Sequence, residues 1–171
     1  DRPYVTLSNP PAPDRNVMRH SVLSSALEAA AANSRHAARI GLFEIGQVYL
    51  SGEDEILPDE LARLAIVLTG QRRPTDWADG SAGTTVDFYD LKGILDAFFR
   101  GLHVTVSAEA TDHPSYRPGR AARLLAGERQ IGMVGELHPA VVKGFDLRVE
   151  RDQPVLAADI DLETLLPLIP D

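Results

Sequence analysis

Ala121-Ala122-Arg123-Leu124-Leu125-Ala126-Gly127-Glu128-Arg129-Gln130-Ile131-Gly132-Met133-Val134-Gly135-Glu136-Leu137 is the stretch that decides the fold. Two short runs, Ala121 to Ala126 and Arg129 to Leu137, flank Gly127-Glu128, a two-residue link of the kind that closes a β-hairpin. A hairpin makes antiparallel neighbours. His103 to Ser107 and Val155 to Ile160 have the same texture and read as further strands. Between them a brief helix is signalled by Pro139 at a first helical position and Gly144 just past its end. Asp161 is placed to cap one last turn.

Upstream the pattern changes. Asn9-Pro10-Pro11-Ala12-Pro13 cannot be helical, because each proline fixes φ and pushes its predecessor toward extended geometry. Residues 1–20 are therefore expected as an extended lead-in. Val22, Leu23, Ala26, Leu27, Ala30 and Ala31 then repeat at helical spacing behind Ser21, a capping residue, which predicts a helix over about residues 21–35. Leu42 to Leu50 is β-branched and aromatic and predicts a strand in which Glu44 points away from Phe43 and Ile45. Ser51 to Pro58 reads as an acidic loop, Leu61 to Leu68 as a second strand, and Gln71 to Gly83 as an irregular loop anchored by Trp77. Phe88, Leu91, Leu95, Phe98, Phe99 and Leu102 share one helical face, with Thr85 or Asp87 as cap. Helix and strand mix without βαβ alternation, so the expected class is α+β: a largely antiparallel sheet with helices packed on it.

The chain has 171 residues, 18.6 kDa, 44% hydrophobic and 25% charged residues, and 25 acidic against 17 basic side chains. One domain over residues 1–171 is expected, since a chain of this size buries roughly 70% of its unfolded surface. The absence of cysteine excludes thiol catalysis, zinc ribbons and disulfide scaffolds. A net charge of −8 argues against tight nucleic-acid binding by this chain alone, because that affinity comes mainly from Lys and Arg neutralising phosphates. No apolar run is long enough to span a bilayer, and a cytoplasmic location is expected. The start without Met, and the proline-punctuated Leu166-Pro167-Leu168-Ile169-Pro170-Asp171, read as a piece of something longer whose residues 162–171 begin a linker.

The titratable candidates carry weak signals. Asp112-His113 and Glu136-Leu137-His138 could bring imidazoles and carboxylates together as a metal site or acid/base pair. Neither has helical ligand spacing, and both histidines precede proline, where turn geometry commonly explains polar residues. No nucleophile elbow and no glycine-rich phosphate cradle is present. Pro118-Gly119-Arg120 offers a turn with arginines that could meet an anion or stand in solvent. Asp90 suits the positive end of a helix, while Gly93 after Lys92 hints at another backbone passing close. Chemistry alone thus describes a folded domain without a self-contained active site.

The ordered set of motifs is more specific than any member of it. Asn9-Pro10, Met18-Arg19-His20-Ser21-Val22-Leu23, Leu42-Phe43-Glu44-Ile45-Gly46, Val86-Asp87-Phe88-Tyr89-Asp90-Leu91-Lys92-Gly93, His113-Pro114 with Pro118-Gly119-Arg120-Ala121, and Ile131-Gly132-Met133-Val134-Gly135-Glu136-Leu137-His138-Pro139 follow in order. Together they resemble the beta subunit of bacterial phenylalanyl-tRNA synthetase through nearly the whole chain, in the catalytic-like module before the anticodon-binding domain. Glu44, Asp90, Lys92, Gly93, His113, Arg120, Glu136 and His138 are the family-motif positions.

The resemblance implies a class II synthetase-like antiparallel sheet flanked by helices. It also implies a non-catalytic scaffold that assembles with an alpha subunit in a heterotetramer. The alpha subunit would charge tRNA with phenylalanine, so ATP and magnesium belong to the holoenzyme and no cofactor to this chain; tRNA would be met only through the full assembly. The strand Leu42 to Leu50 lacks the arginine with which class II enzymes hold ATP phosphates, a fork that is hard to replace. Gln47 stands where relatives typically carry Arg, His20 where they carry Thr, and Ser24-Ser25 where they carry Pro-Gly. The first helix would correspond to an interface-building motif. Arg19, Val22, Leu23, Ala26, Leu27 and Ala30 are accordingly expected to pack partly on the chain's own sheet and partly on the alpha subunit, with a core-only role as the alternative. The competing functional reading is a free-standing metal-dependent enzyme using His113, Glu136 and His138.

Overall fold

The computed structural model describes residues 2–52, 57–73, 84–150 and 152–170. Trp77 and residues 53–56 of the acidic loop lie outside them. Among the described residues six strands form one antiparallel sheet: β1 (Arg39–Leu50), β2 (Asp59–Gly70), β3 (Ser107–Ala110), β4 (Tyr116–Ala126), β5 (Arg129–Leu137) and β6 (Val155–Asp161). Their spatial order is β1-β2-β6-β5-β4-β3. The last strand in sequence thus enters the middle of the sheet, and Val155 to Ala158 are all buried, the expected state of a strand covered on both faces.

Each face carries its own apolar cluster. Helix α1 (Val22–Asn33) and the short α3 (Pro139–Gly144) lie over one. There Val22, Ala26 and Ala30 meet Val48, Ala65, Val67 and Ala157. Alanines on both sides let the helix lie close to the strands. Helix α2 (Phe88–Gly101) and the turn α4 (Leu162–Leu165) cover the other face, with Leu91, Leu95, Phe99 and Leu165 against Leu64, Leu68, Leu156 and Ile160. The period of two along β2 and β6 feeds both clusters from the same strands.

Caps fix the helix starts. The Ser21 hydroxyl accepts from Leu23 N–H at 3.1 Å, and Asp87, rather than Thr85, starts α2 in a reciprocal capping box with Asp90. Asp161 accepts from Thr164 N–H at 3.1 Å. Gly127, with φ of 62°, closes the β4–β5 hairpin opposite the pair Ala126 and Arg129.

Four expectations need correction. The strand expected over His103 to Ser107 starts only at Ser107, as β3. Helix α2 ends in a motif in which His103 adopts φ of 57° while its N–H reaches Arg100 O and Val104 N–H reaches Phe99 O. Histidine holds the left-handed position that glycine usually fills, so the stop was hidden. Asp146, with φ of 53°, does the same after α3, and Gly144 is the last helical residue instead of the one beyond it. Strand β4 begins at Tyr116, five residues early, because a bulge between Tyr116 and Ala121 with Gly119 at φ of 71° absorbs Pro118. Finally, Leu162 and Leu165 are core residues, so the fold continues past the point where a linker was expected. The lead-in folds back on itself, Leu7 N–H donating to Asn16 O and Met18 N–H to Val5 O, both at 2.8 Å. Among the described residues no helix is long and apolar enough to cross a membrane.

Candidate functional site

Strand β1 is an edge of the sheet, twelve residues long and paired to β2 without a break from Arg39↔Gly70 to Leu50↔Asp59. In an antiparallel strand alternate residues direct both amide groups away from the partner. Tyr49 marks the outward row, since its N–H donates to Arg19 O at 3.0 Å. Gln47 follows, its carbonyl accepting from Arg19 Nε at 2.8 Å. By the same alternation Gly41, Phe43 and Ile45 belong to this row, and among the described residues no backbone group outside the sheet meets them. The side chains of Phe43 and Ile45 are 71% and 62% exposed, far more than neighbouring apolar residues of β2. Long unpaired edges with apolar side chains are places where another chain can add on.

Arg19 organises the other end of this edge. Its Nη1 donates to Glu44 Oε1 at 2.6 Å and to Ser25 Oγ at 2.8 Å. Ser25 in turn donates to Val22 O at 3.1 Å, so one guanidinium ties the lead-in, α1 and β1 together. Gly46 leaves the space this needs: a Cβ built there overlaps the Arg19 guanidinium. Ser25 through its hydroxyl and Gln47 through its backbone carbonyl are therefore direct partners of Arg19. Their polarity was visible in the sequence; their convergence was not.

The remaining interface expectations divide. Val22, Leu23, Ala26, Leu27 and Ala30 are 0 to 9% exposed and lie on the chain's own sheet, so the core-only alternative describes their contacts in this chain. Periodicity marked an apolar face, and that face is already filled. The exposed residues of α1 are Glu28, Ala29, Ala32 and Asn33.

The family-motif positions are held by local partners. Asp90 accepts from Arg72 Nε at 2.9 Å and from Asp87 N–H at 2.7 Å. The Arg72 hydrogen bond is the main reason the Asp90 carboxyl is held below its usual range, against some desolvation. Lys92 pairs with Asp96 one turn on. Gly93 has open space where a Cβ would stand, so no other backbone passes near it. Glu136, with its side chain 11% exposed, accepts from Arg117 at 2.6 Å and Arg120 at 3.1 Å; these arginines thus neutralise an internal carboxylate.

The metal-dependent reading does not survive this geometry. His113 Nδ1 accepts from Ser115 N–H at 3.2 Å and His138 Nδ1 from Ala140 N–H at 3.1 Å, the latter capping α3. Glu136 is already held by two guanidinium groups, and His113 lines a different cavity from Glu136. Among the described residues no group of three His, Asp or Glu side chains is placed to hold a metal.

The family model described as phenylalanyl tRNA synthetase beta chain CLM domain matches residues 1–162. Among similar proteins, the phenylalanine–tRNA ligase beta subunit of Geobacter sulfurreducens is 36% identical over 168 residues, 96% of this chain and 20% of that protein. The beta subunit of Geobacillus kaustophilus is 40% identical over 147 residues, 84% of this chain and 18% of its own length. That of Geobacter metallireducens is 37% identical over 169 residues. The chain spans about a fifth of the length of these relatives.

Proposed function

The chain belongs to the phenylalanyl tRNA synthetase beta chain CLM domain family, and from that premise we propose that it is a non-catalytic, class II synthetase-like module that scaffolds an alpha subunit. In this reading the alpha subunit carries the active site, uses ATP and magnesium, and charges tRNA with phenylalanine in the cytoplasm. This chain supplies position. It holds no catalytic residue or cofactor, and tRNA is met only in the whole assembly.

The observation that carries the reading is the open β1 edge, where Phe43 and Ile45 stand exposed beside unpaired amide groups. Solvated edges of this length are normally blunted by charge, proline or cover, and among the described residues this one is covered only where Arg19 binds it. The partner surface moves accordingly from the buried face of α1 to the β1 edge, with Arg19 as its boundary. The net charge of −8 fits a module that leaves phosphate contacts to others.

Co-expression with the cognate alpha subunit tests this. The pair of substitutions Phe43→Asp and Ile45→Asp, on an exposed row, should leave the chain folded and remove co-purification. Retained co-purification of the doubly substituted chain would reject the edge as the contact.

A further inference from the structure

A second site lies beneath the start of α1, apart from the β1 edge and independent of the assembly reading. A cavity of about 460 Å³ opens there between α1, β2, β5 and β6. Its polar walls are Ser21, Arg63, Asp159 and Asp161, and its apolar walls Leu23 and Met133, with the Tyr116 ring at the side. Volumes of this order suit small organic ligands.

The charge balance inside selects the ligand class. Arg63 is committed to Asp161 at 2.6 Å, both side chains 22% exposed. Among the described residues the only hydrogen bond to Asp159 is a long one, from Ser21 Oγ at 3.3 Å. An ionised carboxylate can accept about four hydrogen bonds, so Asp159 has most of its acceptor capacity unused. With the lining imidazoles His20 and His113 counted as neutral, two carboxylates and one guanidinium leave the cavity one negative charge in excess, which favours a cation over an anion. Burial pushes the Asp159 carboxyl upward, with Arg63, the Ser21 hydrogen bond and His113 only partly opposing it. Burial likewise raises the Tyr116 phenol, keeping it a neutral hydroxyl. His20, on the same wall, has a buried Nε2 without a hydrogen-bond partner among the described residues.

We infer that this cavity binds a small primary ammonium ligand, its charged nitrogen on Asp159 and Ser21 and a short apolar or aromatic tail against Leu23, Met133 and the Tyr116 ring. A primary ammonium brings three donors and one positive charge, matching the unused acceptors and the excess charge together.

Benzylamine, cationic near neutral pH, and its uncharged counterpart benzyl alcohol are the probes. Titrated into the 171-residue chain and followed by amide chemical shifts, benzylamine should saturate with shifts at Ser21, Met133 and Asp159, and benzyl alcohol should bind at least about tenfold more weakly. Asp159→Asn should weaken benzylamine by about tenfold or more with the fold intact by circular dichroism. Absence of saturable benzylamine binding, equal binding of the alcohol, or undiminished binding to a folded Asp159→Asn chain would each overturn the inference. Should that variant fail to fold, the amine and alcohol comparison on the unsubstituted chain decides alone. Loss of alpha-subunit assembly has no bearing on any of these readouts.

Discussion

Replacing Arg19 with Ala removes the group that fastens the lead-in and α1 to the β1 edge. Three bonds go: to Glu44 at 2.6 Å, to Ser25 at 2.8 Å and to the Gln47 carbonyl at 2.8 Å. Hydrogen bonds to charged groups contribute roughly 1.5–3 kcal/mol when shielded, and exposed ion pairs only about 0.2–1. With side chains 33% and 32% exposed, the Arg19–Glu44 pair falls between these ranges, and a value of ~1 kcal/mol is appropriate. The two bonds to neutral acceptors add ~1 kcal/mol between them. The substitution should therefore cost about 2 kcal/mol, or a midpoint lowered by about 4–8 °C for a chain of this length. Urea unfolding and calorimetry measure both quantities. A double-mutant cycle with Glu44→Ala should return ~1 kcal/mol of coupling, because each single change leaves the other charge without its partner. A loss below ~0.5 kcal/mol, or coupling indistinguishable from zero, would refute Arg19 as the organiser of this edge.

Three further outcomes are expected of this fold. Ala30→Asp should unfold the chain, since it puts a charge at a position 0% exposed, whereas Ala29→Asp on the solvent side of α1 should change its urea midpoint little. For Asp90 the folded pKa lies below the unfolded one, so its contribution is present above about pH 4 and is lost as pH falls through the folded value. The stability gap between the unsubstituted chain and Asp90→Asn, followed by urea titrations, should close in that acid window. Asp159 has the opposite sign: its folded pKa is raised, so its ionisation penalises the fold at neutral pH and is relieved as pH falls. Asp159→Asn should thus melt higher than the unsubstituted chain at pH 7, with the difference shrinking toward acid pH.

The sheet was legible because its signals are local. Gly127 between two apolar runs is the β4–β5 hairpin, and the bounds of β5 and the start of α3 at Pro139 emerge as read. Alpha helix α2 showed its buried row of Leu91, Leu95 and Phe99 through spacing alone. What escaped reading shares a cause, which is that a different residue type did a familiar job. His103 and Asp146 take the left-handed helix stop in place of glycine, and a bulge at Gly119 lets β4 run past Pro118. The candidate site was less legible still. An apolar period along α1 cannot distinguish a core face from an interface face, so for Val22 to Ala30 it fits both a shared and a core-only role; the chain's own sheet packs against them. Phe43 and Ile45 were seen to oppose Glu44. Their exposure depends on β1 being an edge and on α2 covering only part of that face, both properties of topology. Asp159 gave no signal, because its burial is set by Ser21 and Arg63, more than ninety residues away in sequence.

Amide hydrogen exchange at Gly41, Phe43 and Ile45, with and without the alpha subunit, tests the central claim most directly. These amides lie on the outward row of β1 and should exchange fast in the chain alone and become strongly protected on adding the alpha subunit, while Tyr49, already bound to Arg19, changes little. Unchanged exchange at all three positions under conditions where the two chains bind would contradict assembly through this edge.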